Sequence, residues 1–564
     1  MKNTRLYPIL FSLLLLALSS GAQGFKWGAT CTMTTNSISE GGPTAADNNG
    51  NVYGANLVIP QPSATGVISS TYGPYTVVDN SGTQQTVIFR LDSSGHYIWA
   101  HGLQGGRADM LKVATDAANN VYYLGATDAP FSIGTVTYTP ASVHFILKIN
   151  PAGLVLWFKD FPGQLFPNDI SVLPSGTLYF TGTLSTLSPF TYGSSTIDSS
   201  KAADAFIAAM DSSGTPQWLT ALGGSGDDAG YYVYAGAGGE VFAAGTSTSP
   251  TLNCGSNTLT NPMSVTGSFS WVVKLRPDHS VQWGSGVTNS SVQDAITGIA
   301  ADNLNNVYAG GYFSDSISSG GISIPHAPGG LGQIFLFRYD SGGHAKWGKT
   351  VSTPWYWGAE SIDADNCGNV WLACQGGSVP VYNTDVMWLA HFDSTGKLRD
   401  SFSLTSGGDD ASFISLDKKG NFYLSGDYAR VPVAEEYPFA LGNDTLPMLG
   451  SVDEALFVGK YIYDLPGCVR DTIPYHYSHT GVPALAVGSF GIYPNPAQRE
   501  ITVVSETGIE MNTTLELTDM TGRTLGRFAL MGKSTRINLP ELPPGMFFCR
   551  ISDGGPVFKL EILR

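Results

Sequence analysis

Four aspartates stand at matching distances from a recurring turn. Asp109, Asp228, Asp294 and Asp410 precede the turn residues Asp116, Gly236, Asp302 and Asp417 by seven or eight positions. If the four segments are neighbouring strands, the carboxylates gather on one rim, and grouped carboxylates suit a hard cation such as Ca²⁺. The favoured alternative is local: each aspartate accepts backbone N–H bonds from its own loop. A second set, Arg90, Lys148, Lys274, Arg338 and Lys460, occupies one position of another repeated element. A basic residue at a fixed place in a repeat points to structure, with stems covering apolar surface and charges reaching solvent.

Other chemistry is sparse. The chain holds no G-x-S-x-G elbow, no H-E-x-x-H pair and no phosphate-binding glycine loop. Nine histidines are scattered, and His96, His279 and His344 fall in or beside corresponding turns, as solvated turn residues would. His476 and His479 lack the further ligands a metal needs. Asp92 and Gly95, like Asp211 and Gly214, are three apart, one more than the Asp box of sialidase-type sites requires. No catalytic or cofactor-binding residue is therefore assigned. No cofactor is expected apart from Ca²⁺ on the aspartate rim. Six cysteines in 564 residues are too few for a disulfide scaffold and read as buried thiols with one bridge at most. Cys367 and Cys374 flank a strand whose length holds them too far apart to pair.

The elements that position these residues repeat. Asn51-Val52-Tyr53 returns as Asn120-Val121-Tyr122, Thr177-Leu178-Tyr179, Glu240-Val241-Phe242, Asn306-Val307-Tyr308, Asn369-Val370-Trp371 and Asn421-Phe422-Tyr423. Between these copies runs an apolar strand, an Asp- or Asn-led turn closed by Gly, and a tryptophan. Examples are Phe89 to Asp92 with Gly95 and Trp99, and Phe337 to Asp340 with Gly343 and Trp347. Asp at the first turn position and Gly at the fourth join antiparallel strands. Each unit of about 63 residues then holds about four strands. In the sixth unit Leu398 stands near the tryptophan position. The seventh third-strand element, Leu456 to Lys460, has no tryptophan after it, while Phe25-Lys26-Trp27-Gly28 near the N-terminus resembles Ala345-Lys346-Trp347-Gly348. The N-terminal strand is expected to complete the seventh unit, with Cys468-Val469-Arg470 as the competing strand. The fold class expected is all-β: a seven-bladed β-propeller followed by a small Ig-like β-sandwich.

Composition agrees. Charged residues make up 13% of the chain, about half the usual share, and glycine is abundant (68) without a collagen period. The net charge of −16 opposes nucleic-acid and anionic-lipid partners. Lys2 and Arg5 precede an apolar run from Leu6 to Leu18 and then Ser20-Gly21-Ala22, the layout of a secretory signal peptide. The run is too short to span a bilayer, and no transmembrane segment is expected in the mature chain. The expected organisation is a signal peptide at 1–22, the propeller at 23–464, a Pro-containing linker at 465–489 and a C-terminal domain at 490–564.

Two resemblances follow from the motifs. Asp211 to Trp218, Gly223-Gly224-Ser225-Gly226-Asp227-Asp228 and Gly239 to Thr246 resemble the SBBP β-propeller repeats of exported bacterial proteins. That resemblance covers about residues 23–464 and speaks for fold rather than ligand. The tail resembles the type A C-terminal sorting domain of the type IX secretion system. It carries Tyr493-Pro494-Asn495-Pro496, then Asp519 to Gly522 and Arg523, then Leu542-Pro543-Pro544-Gly545, and closes on Phe558-Lys559-Leu560.

The tail's resemblance implies a Bacteroidetes-type source and type IX secretion machinery as a partner. It also implies passage through the periplasm to the outer surface or the extracellular space. The expected role is a non-enzymatic binding or adhesion scaffold for an extracellular glycan or protein, with inserts near 184–203, 247–268 and 313–332 on the binding face. The alternative is an exported polysaccharide hydrolase or lyase.

Overall fold

The computed structural model describes residues 24–33, 37–60, 67–79, 84–105, 108–186, 188–198, 202–236, 238–255, 257–261, 267–289, 295–326, 333–351, 356–379, 384–405, 413–417, 421–429, 440–441, 444–445, 454–463, 490–493, 499–509, 513–519, 523–540, 542, 545–551 and 557–562. Among these residues every regular element is a β-strand.

Seven antiparallel sheets account for the repeat, six of four strands and the fourth of six, to which a hairpin adds two strands. The first contains Ser37–Ala46, Val52–Pro60, Gln85–Leu91 and Tyr97–Leu103. The fifth contains Ala295–Ala301, Val307–Phe313, Gln333–Tyr339 and Ala345–Val351, each joined to the next in chain order. The seventh differs. Its first three strands are Phe413–Leu416, Asn421–Ala429 and Glu454–Ile462, and its fourth is Gly24–Thr30 from the N-terminal end. Gly28 pairs with Gly459 and Thr30 with Phe457. The competing strand at 468–470 lies outside the described residues.

The first strands succeed one another around a cycle. Ser37–Ala46 lies against Ala108–Thr115, which lies against Leu165–Val172, and so on to Phe413–Leu416, which returns to Ser37–Ala46. Between successive sheets lies a buried apolar layer. One such layer joins Tyr53, Ile88 and Trp99 of the first sheet to Val121, Tyr123 and Phe145 of the second. Another joins Trp27 and Val458 of the seventh to Val52 and Phe89 of the first. Strands buried on both faces explain the near-continuous apolar runs such as Val87-Ile88-Phe89. A single sheet exposes both apolar faces, so each is stable only against its neighbours.

Five of the seven turns between first and second strands share one side-chain network. Asp47 accepts the backbone N–H groups of Asn49 and Asn51 and, at 2.7 Å, the side-chain amide of Asn51. The same Asp–Asn pair recurs at Asp116–Asn120, Asp302–Asn306, Asp365–Asn369 and Asp417–Asn421. This is Asx-turn chemistry reinforced by a second side chain.

The C-terminal residues form two further sheets, one of Phe490–Tyr493, Glu500–Ile509 and Gly532–Asn538, the other of Thr524–Ala529, Thr514–Thr518, Gly545–Ile551 and Val557–Ile562. Ile492, Ile501, Val503 and Ile537 from the first share one core with Leu515, Leu517, Phe547 and Leu560 from the second. The strand over Gly532–Asn538 has no clear period in its sequence, Gly-Lys-Ser-Thr-Arg-Ile-Asn, and only pairing with Glu500–Ile509 reveals it.

Candidate functional site

The basic residues of the third strands serve the contacts between sheets. The Arg90 guanidinium donates to the carbonyl of Pro151 at 2.7 Å, and the Trp99 indole N–H donates to the same oxygen at 3.2 Å. Lys148 and Trp157 converge in the same way on Ser212, and Lys274 and Trp283 on Ser341. In each case the acceptor is the second residue of the next sheet's turn. The charge also sits over an aromatic ring of its own sheet, Lys148 over Tyr122 at 4.6 Å and Lys274 over Phe242 at 5.4 Å. Lys148 and Lys274 are buried, so the expectation that these charges reach solvent is corrected for both. A buried ammonium needs a partner, and the turn carbonyl supplies it.

The sixth sheet breaks the pattern. Its third-strand residue is His391, and the register sets Asp400, not Leu398, opposite it in the tryptophan's place. The next sheet has no turn to grasp there, because its third strand ends at Ile462 and its fourth comes from the N-terminal end. Tyr463 fills the position instead, against Trp371 and His391, whose rings stack at 4.4 Å. Burial pushes the His391 imidazole down to about 4, against the opposing pull of Asp400 and Asp393 and with help from Arg399.

The turn histidines divide. His96 and His344 are exposed beside Asp92 and Asp340. His279 takes the positive-φ place that Gly95, Gly153, Gly343 and Gly396 hold elsewhere, and its ring stacks on Trp218 at 4.1 Å.

The two ends of the sheets differ. One end carries only the tight turns between first and second and between third and fourth strands. The connections at the other end carry hairpins: Ile68–Tyr72 with Tyr75–Asp79, Phe131–Ile133 with Val136–Tyr138, Phe190–Tyr192 with Ser195–Ile197, Thr251–Cys254 with Asn257–Thr260, Ile317–Ser319 with Ile322–Ile324, and the short Ala440–Leu441 with Asp444–Thr445. The inserts near 184–203, 247–268 and 313–332 thus each hold a two-stranded element. Several also bind the preceding sheet. Ile317–Ser319 pairs with Val281–Asn289, Ser132 bridges to Gln104, and Asn253 bridges to Gly223.

Of the four rim aspartates, Asp294 and Asp410 lie outside the described residues. Asp109 is the second residue of Ala108–Thr115 and is half-buried. Asp228 opens Asp228–Ala235, two sheets further on, and is 1% exposed. It holds its own loop, accepting the Gly224 N–H at 2.8 Å and the Ser249 hydroxyl at 2.9 Å. Beside it stands Asp204, the first residue of Asp204–Met210, which sequence reasoning missed because no equivalent acid recurs in the other units. Burial and the neighbouring Asp228 carboxylate raise the Asp204 carboxyl to about 6. Among the described residues there is no group of three or more His, Cys, Asp and Glu side chains placed to hold a metal. Cys31, Cys254, Cys374 and Cys549 are buried thiols, and Cys367 is disulfide-bonded.

In the C-terminal domain, Asp519 accepts the backbone N–H and the guanidinium Nε of Arg523, both at 3.0 Å, and so closes the turn between two strands. Tyr493 ends Phe490–Tyr493, Gly545 opens Gly545–Ile551, and Lys559 lies within Val557–Ile562, paired in register with Phe548. Pro494, Asn495, Pro496 and Gly522 lie outside the described residues, as do His476 and His479.

Residues 491–562 match the family described as "Secretion system C-terminal sorting domain". The match marks the chain for handling by the type IX secretion machinery and export to the cell surface or extracellular space. No curated protein matches the chain. Among solved structures, a protein of unknown function from Dyadobacter fermentans is 10% identical, with 78% of this chain and 99% of that one covered and a TM-score of 0.35. PorZ, a surface component of the type IX secretion system of Porphyromonas gingivalis, is 9% identical over 94% of this chain and 100% of its own, with a TM-score of 0.19. A Synechocystis apocarotenoid oxygenase mutant is 13% identical over 68% of this chain and 94% of its own, with a TM-score of 0.29. At these scores the likeness carries no argument about activity or ligand.

Proposed function

We propose that the seven sheets are the blades of a β-propeller closed by the N-terminal strand, and that the exported chain is a non-enzymatic scaffold for binding or adhesion. The observation that carries this reading is the asymmetry of the two ends. Among the described residues six of the connections at one end are elaborated into hairpins, while the other end keeps five-residue turns closed by the same backbone bond. A rigid framework with one elaborated end is an arrangement that can present a recognition surface. The surface would meet an extracellular glycan or protein, since the sorting domain directs the chain outward.

A glycan and extracellular-protein binding screen with the purified exported chain tests the proposal. Saturable binding without release of new reducing ends or unsaturated sugars is the expected result. Substitutions within Thr251–Thr260 or Ile317–Ile324 should weaken that binding, while substitutions in the turns at the opposite end should leave it intact. Product release from a polysaccharide would replace the scaffold reading with that of an exported hydrolase or lyase.

A further inference from the structure

The junction of the third and fourth sheets, at the hairpin-bearing end, concentrates oxygen atoms around two glycines. The Asp204 carboxylate presses on Gly223 so closely that a β-carbon there would come within 2.0 Å of its Oδ1. A β-carbon on Gly224 would meet the Thr251 carbonyl oxygen at 2.3 Å and the Ser249 hydroxyl at 2.5 Å. Asp228 completes the group, fixed by the Gly224 N–H and Ser249 through Oδ2, and by its own N–H bond to the Ala203 carbonyl at 2.8 Å.

Two observations separate this place from an ordinary acidic loop. Asp228 is 1% exposed, and its second oxygen, Oδ1, is buried without a hydrogen bond of good geometry, the Ser247 hydroxyl lying near the carboxyl. Neither Asp204 nor Asp228 forms an ion pair with a lysine, arginine or histidine among the described residues. Two neighbouring carboxylates, Asp228 buried with an unused oxygen and Asp204 half-buried, carry negative charge that no cation among the described residues compensates. The remaining donors are hydroxyl and carbonyl oxygens, the set a hard cation prefers. Burial also keeps Asp228 from reaching a polysaccharide, so the pair is not laid out as the two carboxylates of a glycosidase.

We propose that a divalent cation, Ca²⁺ by the chemistry of the donors, binds between Asp204 and Asp228, with the Ser249 hydroxyl and the Thr251 carbonyl beside it. The ion would tie the loop at 223–227 to the start of the hairpin Thr251–Thr260 and so brace one sector of the hairpin-bearing end. Asp109, on a strand two sheets away, takes no part. The inference stands whether or not that end binds a glycan.

The test uses the purified full chain, stripped with EDTA, with Ca²⁺ alone as the probe. A Kd of roughly 10⁻⁴–10⁻³ M is expected, the range of extracellular calcium modules. At ~10 mM Ca²⁺ thermal unfolding should then rise by about 1–3 °C, with a saturable heat by calorimetry. Asp204→Asn should remove both signals while still folding, because Asp204 holds no loop. Asp228→Asn should remove them too, and where it lowers stability by freeing the loop, Asp204→Asn remains decisive. No shift and no heat with the wild-type chain overturns the proposal, as does an equal response from Asp204→Asn. A Tm that rises on acidification to pH 5 but ignores Ca²⁺ also overturns it, because the pair would then be sharing a proton instead of an ion.

Discussion

The indole N–H of Trp27 donates to the carbonyl of Ser93 at 3.0 Å across 66 residues of chain. It is the same contact that Trp99 makes to Pro151, Trp283 to Ser341 and Trp347 to Ser394, each reaching from one sheet to the turn of the next. Trp27 therefore does for the seventh sheet what a tryptophan on a fourth strand does elsewhere, although it comes from the opposite end of the chain. Its ring also covers Gly95 of the first sheet, where a β-carbon would come within 2.7 Å of the indole.

Closure through this strand makes the N-terminal residues essential to stability. Deleting residues 23–31 would expose the Glu454–Ile462 edge and leave the apolar layer of Trp27, Val458 and Phe89 half covered. Thermal unfolding should fall steeply, and Trp27→Ala alone should cost about 3–5 kcal/mol. An unchanged melting temperature on deletion would remove the strand from the closure.

The turn glycines face the tryptophans of the preceding sheet, and the one histidine among them offers a control. Gly343 has φ +87° and would place a β-carbon 2.6 Å from the Trp283 ring. Gly343→Ala therefore meets both backbone strain and a clash, and should cost about 2 kcal/mol. His279, at φ 68°, has already exchanged that contact for a stack on Trp218. His279→Gly relieves the backbone and loses the stack, so its net change should stay within about 1 kcal/mol. Urea unfolding of the two variants checks the difference, and equal losses would contradict the assigned roles.

These positions show what the sequence makes legible and what it hides. The Asp-led turns, the third strands and the tryptophans recur at fixed spacing, so the pattern exposes four strands per unit and the likeness of Trp27 to Trp347. The hairpins at 131–138 and 190–197 also recur, Phe131-Ser132-Ile133-Gly134 matching Phe190-Thr191-Tyr192-Gly193, but only as a short motif. Their strands are three residues long, which gives periodicity too little to work on. Asp204 and the exchange of Leu398 for Asp400 were hidden for another reason. Both depend on register with a neighbouring strand, and spacing along one chain carries no information about which residue stands opposite.

His391 gives the seam a pH dependence with a definite sign. Its folded pKa, about 4, lies below the ~6.5 of an unfolded histidine, so the unfolded chain binds more protons between those values. Its contribution is complete above pH 6.5, falls as the pH drops toward 4, and levels off below. A gap of that size amounts to roughly 3 kcal/mol at full protonation. His391→Phe keeps a ring against Trp371 and removes the proton, and should flatten this part of a stability profile between pH 7 and 4. A profile as steep in the variant as in the wild type would assign the acid sensitivity elsewhere.

The sorting domain acts on location and not on the seven-sheet unit, and truncation separates the two. The C-terminal sheets have their own core, built from Ile492, Ile501, Leu515, Leu517, Phe547 and Leu560, with no residue of the repeat in it among the described residues. A chain ending before Tyr493 loses this core and the matched residues 491–562 while every strand of the seven sheets remains. It should accumulate in the periplasm as a folded, protease-resistant species. Fractionation of cells expressing the truncated and full chains reads this directly. Surface display of the truncated chain would show that the tail is dispensable for sorting, whereas its degradation in the periplasm would show that the sheets need the tail to fold.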